Sequence, residues 1–143
     1  YQDKIKAYKL FANKLWNVSR FIFESAHEYD AKLSEVDEKI LSAFRSLALD
    51  VTHDIDEYRF YLAGEKLYHY VWHELADSIL EESKAMLKSE NATERASRSS
   101  LLHTILKDTL KLLHPFMPFI TEEIWSHVPG RDDELLMVAG WPT

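Results

Sequence analysis

The chain contains no cysteine, which excludes a disulfide framework, a thiolate metal site and a cysteine nucleophile. Glycine occurs three times and proline only at positions 115, 118, 129 and 142. Three glycines cannot build phosphate-cradling loops, and no G-x-x-x-x-G-K, G-x-G-x-x-G or G-x-S-x-G string is present. Ser, His and Asp occur, but in no arrangement that suggests a catalytic triad. No apolar run approaches the roughly 18 residues of a membrane span, and Tyr1-Gln2-Asp3-Lys4 opens nothing like a signal peptide. A cytoplasmic chain without a membrane partner is the expectation.

Against these absences stand 143 residues, 46% hydrophobic and 29% charged, enough for one domain that buries a core without staples. The first residue is Tyr1 rather than Met, and helical patterning starts within a few residues. A single domain over 1–143, excised from a longer chain, is expected.

The net charge of −7 argues against a polyanionic partner, since phosphate neutralisation needs local Lys and Arg. Its distribution softens that objection. Residues 1–20 set Lys4, Lys6, Lys9, Lys14 and Arg20 against Asp3 alone. Residues 95–111 set Arg95, Arg98, Lys107 and Lys111 against Asp108. Everything else is net acidic, so these two stretches are the only credible phosphate-facing surfaces.

With almost no breakers before residue 114, long helices with short connections follow. The first runs over about 3–27. Ser34 is a plausible N-cap for the second, with Asp37 and Glu38 in the first turn and a stripe of Ile40, Phe44, Leu47, Val51, Ile55 and Tyr58. A break near Tyr58 precedes a third helix to about Lys88 through Ala63, Leu67, Val71, Leu75 and Ile79. Ser89–Thr93 is a capping turn before a fourth helix to Leu113. Pro115 stops it, and Thr121 opens a short fifth that ends near Pro129-Gly130. Leu135–Trp141 is too short for a core helix and is expected to lie on the bundle as an extended strap. The fold class is all-α: a bundle of four long helices plus a short C-terminal one and an extended tail.

In the first helix Phe11, Leu15, Val18 and Ile22 form one apolar stripe. At about 100° per residue, Asn13, Asn17, Arg20 and Glu24 gather on the opposite side. Trp16 and Phe23 flank that strip on one edge, Lys14 and Phe21 on the other. Solvated faces more usually carry Glu and Lys; amides beside an Arg and edge aromatics suit the reading of bases.

FANKLWNVSRF (Phe11–Phe21) resembles the opening helix of the anticodon-binding domain of valyl-tRNA synthetases. LLHPFMPFITEEIW (Leu112–Trp125) is similar to the last-helix signature shared by valyl and related class I synthetases. LAGEKLYHYVWHELADSILEESK (Leu62–Lys84) resembles the long middle helix of that domain. It departs at Leu75-Ala76-Asp77-Ser78, where the commoner pattern has a Cys-Asp-Trp-Tyr-like run. The resemblance spans almost the whole chain and implies a tRNA anticodon stem-loop as partner. It also implies a parent enzyme that attaches valine to its tRNA using ATP, with its catalytic domain in the same chain, and a monomer. No cofactor or catalytic residue is expected in this piece, which should not activate an amino acid alone. Valine tRNAs present adenine and cytosine as the middle and third anticodon bases. An Asn amide can pair with adenine and a Glu can accept from cytosine's amino group. Asn17 and Glu24 could fill those roles, with Arg20 stacking or on phosphate, Phe21 stacking, Lys14 on phosphate and Asn13 beside them. Arg95 and Arg98 complete the expected tRNA-binding set.

Two other readings fit the same residues: the equivalent domain of an isoleucine or leucine enzyme, and a helical protein-interaction bundle with no nucleic-acid role. His69 and His73 stand at i, i+4, a spacing that can bind zinc, but no third ligand is dictated and no metal site is expected. Trp16, Trp72, Trp125 and Trp141 are expected to pack in the core, and Phe116 and Phe119 to plug the base of the bundle.

Overall fold

A computed structural model describes residues 2–131 and 135–142. Among them the chain is helical, with no strand. The helices are α1 (Gln2–Ser25), α2 (Glu35–Asp56), α3 (Phe60–His69), α4 (Leu80–Met86), α5 (Ala92–Leu113) and α6 (Pro118–Trp125). A π-helical stretch, Tyr70–Ile79, joins α3 to α4 in one rod. Four long rods and a short last helix are therefore present.

The rods form where the apolar stripes lie. Phe11, Leu15, Val18 and Ile22 are all buried on α1, as are Ala63, Leu67, Val71, Leu75 and Ile79 along the third rod. Apolar positions at every fourth residue drift by about 40° per step on a regular α-helix. Widened π turns from Tyr70 to Ile79 offset that drift and keep Val71, Leu75 and Ile79 on the core side; the Leu80 N–H bonds back to the Leu75 carbonyl, five residues earlier. Such long π segments are rare, and the spacing alone does not distinguish one from a straight helix.

The α5 helix is the hub, packed against α1, α2, α3, α4 and α6. Its leucines and isoleucine, Leu101, Leu102, Ile105, Leu106, Leu110, Leu112 and Leu113, are all buried, so it is apolar around most of its circumference. Its first turns replace that apolar surface with small polar groups. Ser99 Oγ accepts from the Glu28 N–H and donates to the Glu28 carbonyl, both at 2.7 Å. Ser100 Oγ accepts from the Ala31 N–H at 2.9 Å and Ser97 Oγ from the Ser34 N–H at 2.7 Å. His103 Nε2 meets the Ala26 carbonyl at 2.8 Å. The α1–α2 linker has no helical partner for these backbone groups, and α5 supplies one.

Ser34 caps α2 by accepting from the Asp37 N–H at 3.1 Å, and Asn91 caps α5 by accepting from Glu94 N–H. The C-terminus of α2 closes with Tyr58 N–H to Ile55 O and Arg59 N–H to Asp54 O. That is a Schellman motif, with Tyr58 at φ +61° in the left-handed position usually held by glycine. Tyr58 is 82% exposed, so it is not part of the α2 core stripe; the buried stripe is Leu41, Phe44, Ala48 and Val51, with Ile40, Leu47 and Ile55 at its edge.

Further expectations change. Pro118 sits at the first turn of α6, three residues before Thr121, because its missing N–H costs nothing there. Phe119 then points outward, 87% exposed, and only Phe116 packs against the core. Of the tryptophans, Trp125 alone is fully buried; Trp16 and Trp72 are partly buried and Trp141 lies on the surface, its indole N–H on Thr52 Oγ1 at 2.8 Å. The tail carries a single 3-10 turn, Leu136–Val138, with extended residues on both sides. Its buried Leu136 is held by the Glu122 carboxylate, which accepts from the Leu136 and Met137 N–H groups.

Candidate nucleic-acid interface

The strip on α1 forms as its spacing requires. Asn13, Asn17, Arg20 and Glu24 are all exposed, while Lys14, Trp16, Phe21 and Phe23 are partly buried along its two edges. Arg20 Nε lies 3.5 Å from Glu24 Oε1, with both side chains about two-thirds exposed. Such a solvated pair holds its partners weakly, so guanidinium and carboxylate both stay available to a ligand. Lys14 leans over the Trp72 ring, its Nζ 5.2 Å from the centroid. Trp72 in turn stacks on Tyr68 at 5.7 Å, and Tyr68 meets Phe11 at 5.0 Å. Phe21 packs against the core by one face.

On the other edge, Trp16, Ser19, Arg20, Phe23, Glu24 and His127 line a groove of about 310 Å³. His127 comes from the turn after α6 and meets Trp16 edge to face, ring centroids 6.1 Å apart. Ser19 donates its hydroxyl proton to the Leu15 carbonyl at 2.8 Å, so this wall of the groove offers no free donor. Nothing in the sequence marks His127 or Trp72 as neighbours of the strip, since tertiary packing alone brings them there.

In the second expected stretch, Arg98 is withdrawn from the surface. Arg98 is 0% exposed: Nε and Nη2 donate to Asp37 Oδ1 at 3.0 and 2.8 Å, Nη1 to Ser83 Oγ at 3.0 Å, and Nη2 also to Glu82 Oε1 at 3.2 Å. Ser97 Oγ donates to the other Asp37 oxygen at 2.6 Å. A buried guanidinium with its donors so engaged cannot reach an RNA phosphate. Arg95 is half-buried and donates to the Ser89 carbonyl, fastening the turn between α4 and α5. Lys111, also in this basic stretch, has a largely buried side chain beside Asp108 and Trp125.

His69 and His73 lie with ring centroids 4.7 Å apart, and no group of three or more His, Asp or Glu that could hold a metal occurs among the described residues. No helix among them is long and apolar enough to cross a membrane.

The strip thus sets exposed amide, guanidinium and carboxylate groups between partly buried aromatic side chains on the outside of a helical bundle. The chain belongs to the family described as the anticodon-binding domain of tRNA ligase, whose model matches residues 37–143. It is 37% identical over 150 aligned positions to the valine–tRNA ligase of Bacillus thuringiensis subsp. konkukian, covering 99% of this chain and 17% of that protein. The valine–tRNA ligases of Syntrophotalea carbinolica and Thermotoga maritima are each 38% identical, over 90% and 95% of this chain and 15% and 16% of their own. The chain thus spans about a sixth of the length of the curated relatives it matches.

Proposed function

We propose that this chain holds the anticodon stem-loop of valine tRNA within a valine–tRNA ligase acting in the cytoplasm. The observation that carries the reading is the joint exposure of Asn13, Asn17, Arg20 and Glu24 on one face of α1. Amides and a carboxylate there discriminate base edges by hydrogen bonding, and Arg20 offers a planar donor for stacking or phosphate. Asn17 suits adenine and Glu24 the amino group of cytosine. Lys6 and Lys9, both exposed on α1, supply the sequence-independent attraction to phosphate. Arg98 has no part in the site.

ATP binding and the attachment of valine would belong to the remainder of such a ligase, and the chain alone is expected to give no valine-dependent pyrophosphate exchange. The apolar groove lined by Tyr8, Phe11, Tyr68 and Phe116 is where we seat the rest of that ligase, in a single-chain monomer.

Titration of the chain with anticodon stem-loops of valine, isoleucine and leucine tRNAs tests the reading. Tighter binding of the valine loop, weakening as salt rises, is expected. Equal binding of all three loops would remove the valine specificity, and no binding would remove the RNA function.

A further inference from the structure

The groove beside the strip involves a residue that lies more than a hundred positions from α1 in sequence. Trp16 and Phe23 stand at i, i+7 on α1, on one flank of the polar strip, and His127 faces them from the turn after α6. The volume of about 310 Å³ lies at the lower end of the range for small-ligand sites. Its walls are mainly aromatic, while Arg20 and Glu24 stand at its rim. The His127 side chain is about half exposed and only loosely paired with Glu123, Nε2 to Oε1 at 3.7 Å, so its ring is free to turn against a ligand.

We infer that this groove receives one unstacked base of a single-stranded RNA loop, with His127 as its outer wall opposite Trp16 and Phe23. Aromatic and imidazole faces are what a splayed base stacks on, and the rim pair reads its edge. Glu24 accepts from an exocyclic amino group while Arg20 donates to a ring nitrogen or carbonyl oxygen. That pairing complements a base edge that sets a hydrogen-bond donor beside an acceptor. The inference rests on the proposed RNA function of α1 and adds a second segment, the turn after α6, to the reading surface.

The test uses the 143-residue chain and valine anticodon stem-loops that carry the fluorescent base 2-aminopurine at one loop position at a time. One position should change its fluorescence on binding. His127→Ala should abolish that change and weaken binding at least about fivefold, the lower bound for losing a stacked base, and His127→Phe should restore most of both. Because His127 is exposed, the helical circular dichroism of these variants should match the parent. If Arg20→Ala weakens binding but His127→Ala leaves affinity and fluorescence unchanged, the groove is not a base pocket and α1 remains the reader. If the unaltered chain does not bind the loop, the groove inference falls together with the proposed function.

Discussion

Replacing Arg98 by alanine separates a structural arginine from a phosphate-binding one. The substitution removes every guanidinium donor to Asp37 and leaves that carboxylate fully buried, with Ser97 Oγ at 2.6 Å as its remaining side-chain donor. Ser83 loses a partner as well, whereas Glu82 is more than half exposed and rehydrates. An orphaned buried charge of this kind costs about 3–5 kcal/mol. That is a large part of the roughly 5–15 kcal/mol that holds a typical domain together. At about 2–4 °C per kcal/mol for a domain of this size, the midpoint of thermal unfolding should drop by roughly 6–20 °C. Urea and thermal unfolding followed by circular dichroism at pH 7 measure both quantities. The paired replacement Arg98→Met with Asp37→Leu removes both charges together and should recover most of the loss. An Arg98→Ala chain as stable as the parent but with weakened RNA binding would refute this account and make Arg98 a phosphate contact.

Tyr58→Gly should stabilise the chain by about 0.5–1 kcal/mol, because it relieves a left-handed non-glycine residue that buries little, less the backbone entropy of glycine; a lower urea midpoint would contradict it. Burial holds the His103 pKa below its ordinary 6.5, against the opposing pull of its hydrogen bond to Ala26. The unfolded chain therefore takes up a proton that the folded chain refuses, and stability should fall as pH drops from about 6.5 toward the folded-state pKa. His103→Gln should flatten that window in urea titrations between pH 7.5 and 5.5; an unchanged slope would show that His103 is not its source. Asp54, whose pKa the Lys66 ammonium and then Arg59 lower against the opposing effect of burial, contributes stability that is lost in a separate window, as pH falls below its ordinary 3.8. Unfolding midpoints between pH 4.5 and 2.5 should lose that slope in Asp54→Asn, and a slope kept in the variant would contradict the assignment.

The sequence announced the helices because their stripes repeat with helical period and Ser34 and Asn91 stand where helices begin. It announced the α1 strip for the same reason, since one helix fixes which of its own side chains share a face. Arg98 misled because charge counted along the chain says nothing of burial. Asp37, the partner that draws Arg98 inward, lies 61 residues away and looks like an ordinary first-turn acid. Ser97, Ser99 and Ser100 resemble a solvated turn until the linker backbone they satisfy is placed against them. The π stretch and Tyr58 are local adjustments that packing and a tight helix exit impose on residues whose own propensities do not ask for them. The groove at Trp16 needed His127 from the turn after α6, and no periodicity within α1 points to it.

The most direct test of the central claim is the affinity of Arg20→Ala for the valine anticodon stem-loop, measured beside the parent in the same buffer. Arg20 is exposed and paired only loosely with Glu24, so the variant should keep the parent's unfolding midpoint. If α1 reads the loop, binding should weaken by about 1–3 kcal/mol, the cost of one base or stacking contact. A folded Arg20→Ala chain that binds the loop as tightly as the parent would contradict the account.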